Sequence, residues 1–324
     1  MTPLRIGLIG AGKHGSRYAK HIVEDLPQAR LIALCRRNQM EGEQIAASHG
    51  CVYYSDFRDL ISDPRVDAII SVVPPAFHGA IVNAACRAGK SLLIEKPFAI
   101  NMAEARRMRD LIVVNKVRCM VAHTLRFNAV VQTLKAYVHE IAPLHSVYLS
   151  QRFEPSPLVW LDHKAESGGG IVLHTGVHSF DLLYFLTDCE VWDVWCQTSQ
   201  VFTRETEDNF VMMCTLCESL LKGAVIGSRS TYSRSGLIEL SGEKGQLVGD
   251  HAHGFAYLLK GSTRIELSVP PPVPTVQETV QAFVASIQND EPFPITVNDG
   301  VRAVAIAEAC YRSVSTGKTT AVEL

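Results

Sequence analysis

The sequence predicts an α/β protein: an N-terminal Rossmann-type, doubly wound parallel sheet followed by a C-terminal α+β domain with an open, mostly antiparallel sheet. Three observations carry this reading. Through about residue 122, short apolar runs alternate with helix-patterned segments, the rhythm of βαβ units. The first of these runs leads into a glycine loop, "GAGKHG". Beyond about residue 123, apolar runs succeed one another with little helix between them, as antiparallel sheets require. A chain of 324 residues can bury two cores, so the boundary is placed at 122/123, giving domains 1–122 and 123–324.

In order, "LRIGLIG" (4–10), "RLIALC" (30–35), "DAIISVV" (67–73) and "SLLIEK" (91–96) read as buried strands, and "KVRCMVA" (116–122) would add another. Between them "SRYAKHIVEDL", "QMEGEQIAASHG", "AFHGAIVNAACRAG" and "MAEARRMRDLIVVN" carry helical patterning, with Gly50 and Gly89 where helix C-caps belong. The second half opens with a helix over about 128–140, a strand over 145–152 and the Pro-rich loop "EPSPLVWLDHKAESGGG". A helix follows the glycines. Then come strands at 191–199, 209–216, 220–228, 236–241, 246–250, 255–259 and 263–267. "SVPPPVP" (268–274) is an extended connector, and helices over about 276–289 and 299–316 end the chain.

Composition narrows the function classes. Apolar residues are 47% and charged residues 20%, an ordinary globular balance. A net charge of −2 offers nothing to nucleic acid or an anionic membrane, and no apolar run is long enough to span a bilayer. The N-terminal residues enter a strand directly, without the pattern of a signal peptide. Of nine cysteines, Cys35, Cys86, Cys196 and Cys310 read as small core residues, and Cys214 and Cys217 as a poor metal or redox pair. These features predict reduced thiols and a cytoplasmic location.

The glycine loop matches G-x-G-x-x-G between a strand and a helix. Gly10 permits the tight turn, Gly12 lets backbone approach a pyrophosphate, and Gly15 allows helix and sheet to pack closely. About twenty residues on, the acidic residue that would hold a ribose 2′-hydroxyl is replaced by Arg36, with Arg37 next. Two guanidiniums suit a 2′-phosphate, so NADP(H) is favoured over NAD(H). Glu95, Lys96 and Pro97 end the strand "SLLIEK", at the sheet edge where open α/β sheets bind ligands.

In "GGGIVLHTGVHSFDLL" (168–183), His174 and His178 stand four apart and would share one helix face, with Asp181 three further along. Such a pair suits zinc, with His123, His163, His251 or His253 to complete a shell. However, no carboxylate or cysteine stands at a recognisable ligand spacing, and no metal is predicted.

The glycine loop, "SVVPPAFHGAIVNAACRAGKSLLIEKPFA", "GGGIVLHTGVHSFDLLYFL", "LSGEKGQLVGD" and the final "GVRAVAIAEACYRSVSTGKTTAV" together resemble the Gfo/Idh/MocA oxidoreductases over essentially the whole chain. The resemblance implies a nicotinamide cofactor, a sugar, cyclitol or related polyol as substrate, and a homodimer or homotetramer built through the C-terminal sheet. It places Gly10, Gly12, Lys13, His14, Gly15, Arg36, Arg37, Pro74, Glu95 and Lys96 at the cofactor. It makes Lys96 and His178 catalytic, with the Lys96–Pro97 bond often cis. In the family pattern G-G-G-x-x-x-D-x-G-x-H-x-x-D, residues Gly168 to Gly170, Gly176, His178 and Asp181 fit, whereas His174 stands where an Asp is expected. Asp162 or Glu166 could replace that carboxylate. Arg126, Trp160, Asp162 and His163 are candidate substrate contacts, and His78 reads as a capping or packing residue. Two rival readings keep the fold: a glycoside hydrolase that retains its cofactor, and a dinucleotide sensor without turnover.

Overall fold

Strand β1 (Leu4–Ile9) is buried at every position except Arg5, which is half-buried. Five strands join it: β2 (Ala29–Cys35), β3 (Val52–Tyr54), β4 (Ala68–Ser71), β5 (Ser91–Glu95) and β6 (Cys119–Ala122). All pair in parallel, in the order β3-β2-β1-β4-β5-β6. Four-residue runs such as "AIIS" in β4 are buried on both faces, as helices covering both sides of a parallel sheet demand. The helices between are α1 (Gly15–Glu24), α2 (Gln39–His49), α3 (Phe57–Ser62), α4 (His78–Ala88) and α5 (Met102–Val114). Gly50 and Gly89 end α2 and α4 in the left-handed conformation, as their positions predict. The strand order reverses between β1 and β4, which puts a ligand crevice at the C-terminal ends of those strands.

This computed structural model describes residues 2–218 and 220–324. The second half opens with α6 (Ala129–Tyr137), β7 (Leu144–Arg152), the short α7 (Lys164–Ser167) and α8 (Val177–Thr187). Next come β8 (Val191–Ser199), β9 (Asn209–Leu216), β10 (Leu221–Ser228), β11 (Ser235–Gly242), β12 (Gly245–Asp250), β13 (Phe255–Lys260) and β14 (Thr263–Glu266). After α9 (Thr275–Gln288) and α10 (Val297–Thr316), β15 (Thr320–Ala321) adds a far edge. These strands form one nine-stranded sheet, β14-β13-β12-β11-β7-β10-β9-β8-β15. Only the β7–β10 pair is parallel, so the expected mostly antiparallel sheet is present. Its inner face packs Val147, Leu149, Met212 and Val225 against Phe180 and Leu183 of α8 and Ile306 of α10.

Three features depart from the sequence reading. The chain divides into compact units at 124/125 rather than by one cut at 122/123, and residues 274–301 return to the first unit. The cause is tertiary: α9 packs on α1, and Arg118 donates to the Ser286 carbonyl (3.0 Å) and the Asp290 carboxylate (2.8 Å). β3 is an added strand, too short at three residues to show a period. Finally, Cys189 and Cys217 form a disulfide with Cα atoms 5.1 Å apart, which corrects the expectation of reduced thiols for this pair. The β9–β10 turn brings them together, since the Cys217 N–H donates to the Glu190 carbonyl beside Cys189. The four cysteines expected in the core are free and buried.

Candidate active site

In the first unit, β1 runs directly into the glycine loop. Gly10 has φ +93°, and a Cβ there would lie 2.2 Å from the Val72 carbonyl oxygen. A Cβ on Gly15 would lie 1.8 Å from the Gly10 carbonyl oxygen. Nothing stands within 4 Å of a Cβ on Gly12, and Gly12, Lys13 and His14 are exposed at the loop tip. No side chain caps the start of α1, so its positive dipole end faces this open space. The loop therefore fits a dinucleotide pyrophosphate.

A single buried carboxylate braces this loop to the end of β5. Glu95 Oε1 accepts from His14 Nε2 (2.8 Å) and from the Tyr18 hydroxyl, and Oε2 accepts from the Lys96 N–H (3.0 Å). Burial opposes ionisation of Glu95, but His14, the Lys96 charge and the Tyr18 hydroxyl outweigh it and bring its carboxyl down to about 2. Because its folded value lies below the ordinary 4.5, Glu95 contributes stability above that pH and loses it as pH falls toward about 2. We expect Glu95→Gln to flatten the pH dependence of urea stability across that window; an unchanged slope would show that Glu95 has no linked role.

The neighbouring residues fall into place around this brace. Lys96 is half-buried, and the Lys96–Pro97 bond is cis. Pro74 leads a 3₁₀ turn at the end of β4. Arg36 directly follows β2, but its guanidinium donates to the Ala11 carbonyl and pairs with Glu41, while Arg37 is exposed. His78 is buried and donates from Nδ1 to the Phe98 carbonyl (3.1 Å), and burial lowers its pKa. It packs, as read from the sequence.

In the second unit the histidine stretch is not plain α-helix. Residues Val172–Gly176 form a π-helical turn that passes into α8 at Val177. A π turn is wider than an α turn and takes up one extra residue per revolution, so His174 lies in the widened turn while His178 lies in the regular helix that follows. His174 is 3% exposed and donates from Nε2 to the Ser167 carbonyl (2.9 Å). Its ring meets Trp160 edge-on, centroids 5.3 Å apart. His178 is half-buried near the start of α8.

The other candidates are mostly engaged by the protein itself. Arg126 makes a buried two-pronged pair with Asp181, at 2.8 and 2.6 Å, rather than an open substrate contact. The Asp162 carboxylate accepts from the Arg204, Glu205 and Thr206 N–H groups, so it does not replace the expected Asp at His174. Burial acts against Asp162 ionising, yet these donors hold its pKa low. His163 is exposed and 3.7 Å from Glu205. No group of three or more His, Cys, Asp or Glu side chains among the described residues is placed to hold a metal.

Two residues beside the π turn have no sequence signature. Glu207, in the β8–β9 connection, accepts through Oε1 from the Gly170 and Val172 N–H groups and the Tyr311 hydroxyl, at 3.0, 3.1 and 2.9 Å. Burial raises its pKa despite those donors. Arg229, just after β10, donates from Nε to Thr175 Oγ1 (3.0 Å). Burial brings it down to about 10, against the opposing charge of Glu207. Both are distant in sequence from the helix they serve, so no motif could reveal them.

Comparison with known proteins agrees with this geometry. The pattern of an oxidoreductase family with an NAD-binding Rossmann fold matches residues 4–123, and that of the GFO/IDH/MocA C-terminal domain matches residues 139–248. Inositol 2-dehydrogenase of Rhizobium meliloti (strain 1021) is 26% identical, the alignment covering 96% of this chain and 97% of that one. Aldose-aldose oxidoreductase from Caulobacter crescentus, solved with glycerol, superposes with a TM-score of 0.90 at 21% identity, covering 98% and 99% of the two chains. Levoglucosan dehydrogenase, solved with NADH and levoglucosan, superposes with a TM-score of 0.91 at 21% identity over the full length of both.

Proposed function

We infer the chemistry from one premise: this chain belongs to the GFO/IDH/MocA family of oxidoreductases. We propose that it transfers a hydride between a nicotinamide cofactor and a carbinol or carbonyl carbon of a sugar, cyclitol or related polyol. The observation that carries the reading is the glycine loop, whose Gly10 and Gly15 exclude any side chain while Gly12 opens onto free space. The inositol, aldose and levoglucosan enzymes among the relatives support the substrate class.

When bound, the nicotinamide accepts or returns the hydride. Gly10, Gly12, Lys13, His14 and Gly15 hold the pyrophosphate, with Pro74 beside the loop, and Glu95 braces the loop through His14. Lys96 donates a hydrogen bond to the substrate oxygen that gains negative charge as a hydroxyl loses its proton. His178 takes that proton during oxidation and returns it during reduction, since imidazole titrates near neutral pH. His174 lends no negative charge to His178. Its Nε2–H is committed to the Ser167 carbonyl, so it orients the π turn and packs against Trp160.

The finer cofactor assignment is NADP(H). A carboxylate at the end of β2 would repel a 2′-phosphate, and Arg36 and Arg37 stand there instead. The phosphate would compete with Glu41 for the Arg36 guanidinium. Fluorescence titration should show NADPH binding more tightly than NADH, with the preference about tenfold smaller in Arg36→Ala. Equal affinities unaffected by that change would overturn the assignment. Turnover of a panel of sugars, inositols and keto-sugars, followed by nicotinamide absorbance, tests the activity; no absorbance change with any of them would count against it.

A homo-oligomer built on the second sheet completes the proposal. The outward row Trp195, Met213, Ala224 and Tyr148 is contiguous by strand register, and Met213 is 58% exposed. Monomeric sedimentation of the purified chain would reject it.

A further inference from the structure

Wholly within the second unit, a cavity of about 250 Å³ lies among the Pro-rich loop, the β8–β9 connection and the end of β10. Leu158, Val159 and Phe202 give it apolar walls, and Arg229, Glu207 and Thr203 are its polar lining of interest. The hydrogen-bonding capacity of these three is incompletely used. Arg229 makes one side-chain hydrogen bond among the described residues, from Nε to Thr175, so its two terminal nitrogens have no partner there. Among the described residues, the three hydrogen bonds to the Glu207 side chain all fall on Oε1, leaving Oε2 as an acceptor. Thr203 Oγ1 is buried with no partner. Burial lowers the Arg229 pKa to about 10, so the half-buried guanidinium stays charged at neutral pH. Arg229 and Glu207 are each half-buried, and a polar guest in the cavity can take the hydrogen bonds they would otherwise give to water, together with that of the buried Thr203 hydroxyl.

We propose that this cavity is a recognition subsite for a neutral, polyhydroxylated ring, with the Arg229 terminal nitrogens donating to hydroxyl or ring oxygens and Glu207 Oε2 accepting from an adjacent hydroxyl. The proposal rests on the polyol activity inferred above and extends it to particular residues. A fork of donors beside a lone acceptor matches neighbouring hydroxyls, each of which both gives and takes a hydrogen bond. Anions are disfavoured. Glu207, Asp162 and Asp208 all line the cavity, and together they outnumber Arg229 three to one. The two aspartates are engaged by backbone N–H groups, but their charge remains. Apolar walls suit the C–H faces of a sugar ring, and the volume is below that of pockets for larger ligands.

The test is equilibrium binding to the full-length protein, read by ligand-observed NMR, with myo-inositol and D-glucose as neutral probes and D-glucuronate as the acid. Two variants separate subsite from scaffold. Leu158→Trp fills the mouth from a residue that is 42% exposed, so it spares the core. Arg229→Lys keeps the charge and removes the fork. We expect at least one neutral probe to bind, each variant to weaken it about tenfold or more, and the glucuronate to bind no better than the neutral probes. NADPH affinity should stay unchanged in both variants. Failure of both neutral probes to bind, tighter binding of glucuronate, or full affinity in Leu158→Trp would overturn the subsite. The outcomes are distinguishable from failure of the activity itself: a chain that turns over polyols with an unaltered KM in Leu158→Trp loses only the subsite, whereas mouth-dependent binding without hydride transfer loses only the dehydrogenase reading.

Discussion

Replacing His178 by Ala is expected to lower kcat by about a hundred- to ten-thousandfold on any polyol the protein oxidises, while leaving dinucleotide affinity unchanged. The expectation follows from a division of labour. The residues assigned to the cofactor lie in the glycine loop and at the strand ends of the first unit, whereas His178 belongs to α8 of the second. Removing the imidazole proposed to move the hydroxyl proton touches no residue assigned to the pyrophosphate loop, so binding and turnover should separate. Stopped-flow measurement of hydride transfer beside a fluorescence titration of NADPH reads both quantities. A variant within a fewfold of wild type would remove His178 from the proton-transfer role. Weakened cofactor binding would instead point to disruption of structure.

Asp181→Ala should cost about 3–5 kcal/mol of stability, read from the shift of the urea midpoint. The pair it breaks is among the most buried charges in the molecule: Asp181 is 2% exposed and Arg126 8%. Removing the carboxylate takes away the two hydrogen bonds and the opposite charge that Asp181 gives the guanidinium in a low-dielectric setting. Replacing both partners at once, as Arg126→Met with Asp181→Leu, should recover most of the loss, because no unpaired charge remains. A loss near zero in the single variant would show that Arg126 finds another partner or a path to solvent. Arg126 also stacks over Phe185 (5.3 Å to the ring centroid), which holds its stem in place in either case.

What could be read from the sequence was what local chemistry dictates. The glycine loop declares itself because three small residues at fixed spacing answer to contacts within a few residues and one neighbouring strand. Long strands such as β9 announce themselves by alternation, and their observed limits agree with the expected 209–216. By contrast, β3 has three residues and no period to detect. Membership of α9 in the first unit depends on its packing against α1, a contact that chain order conceals. Glu207 and Arg229 are set beside the π turn by strand pairing, and neither stands at a meaningful spacing from His174 or His178. Asp162 misled for the related reason that a carboxylate's availability depends on which backbone N–H groups surround it. The π turn is hidden for another reason: its residues are as compatible with an α-helix as with a wider coil.

That turn also fixes how chain length translates into direction. A single residue deleted between 172 and 176 would let the segment close as an ordinary α-helix with α8 near its present phase, because five residues of a π turn sweep about the same angle as four of an α-helix. His178, Phe180 and Leu183 would then keep close to their present directions, with the last two still covering the sheet. The same helix therefore carries its chemistry and its core contacts on one phase, and the π turn is the place where its residue count can change by one without disturbing either.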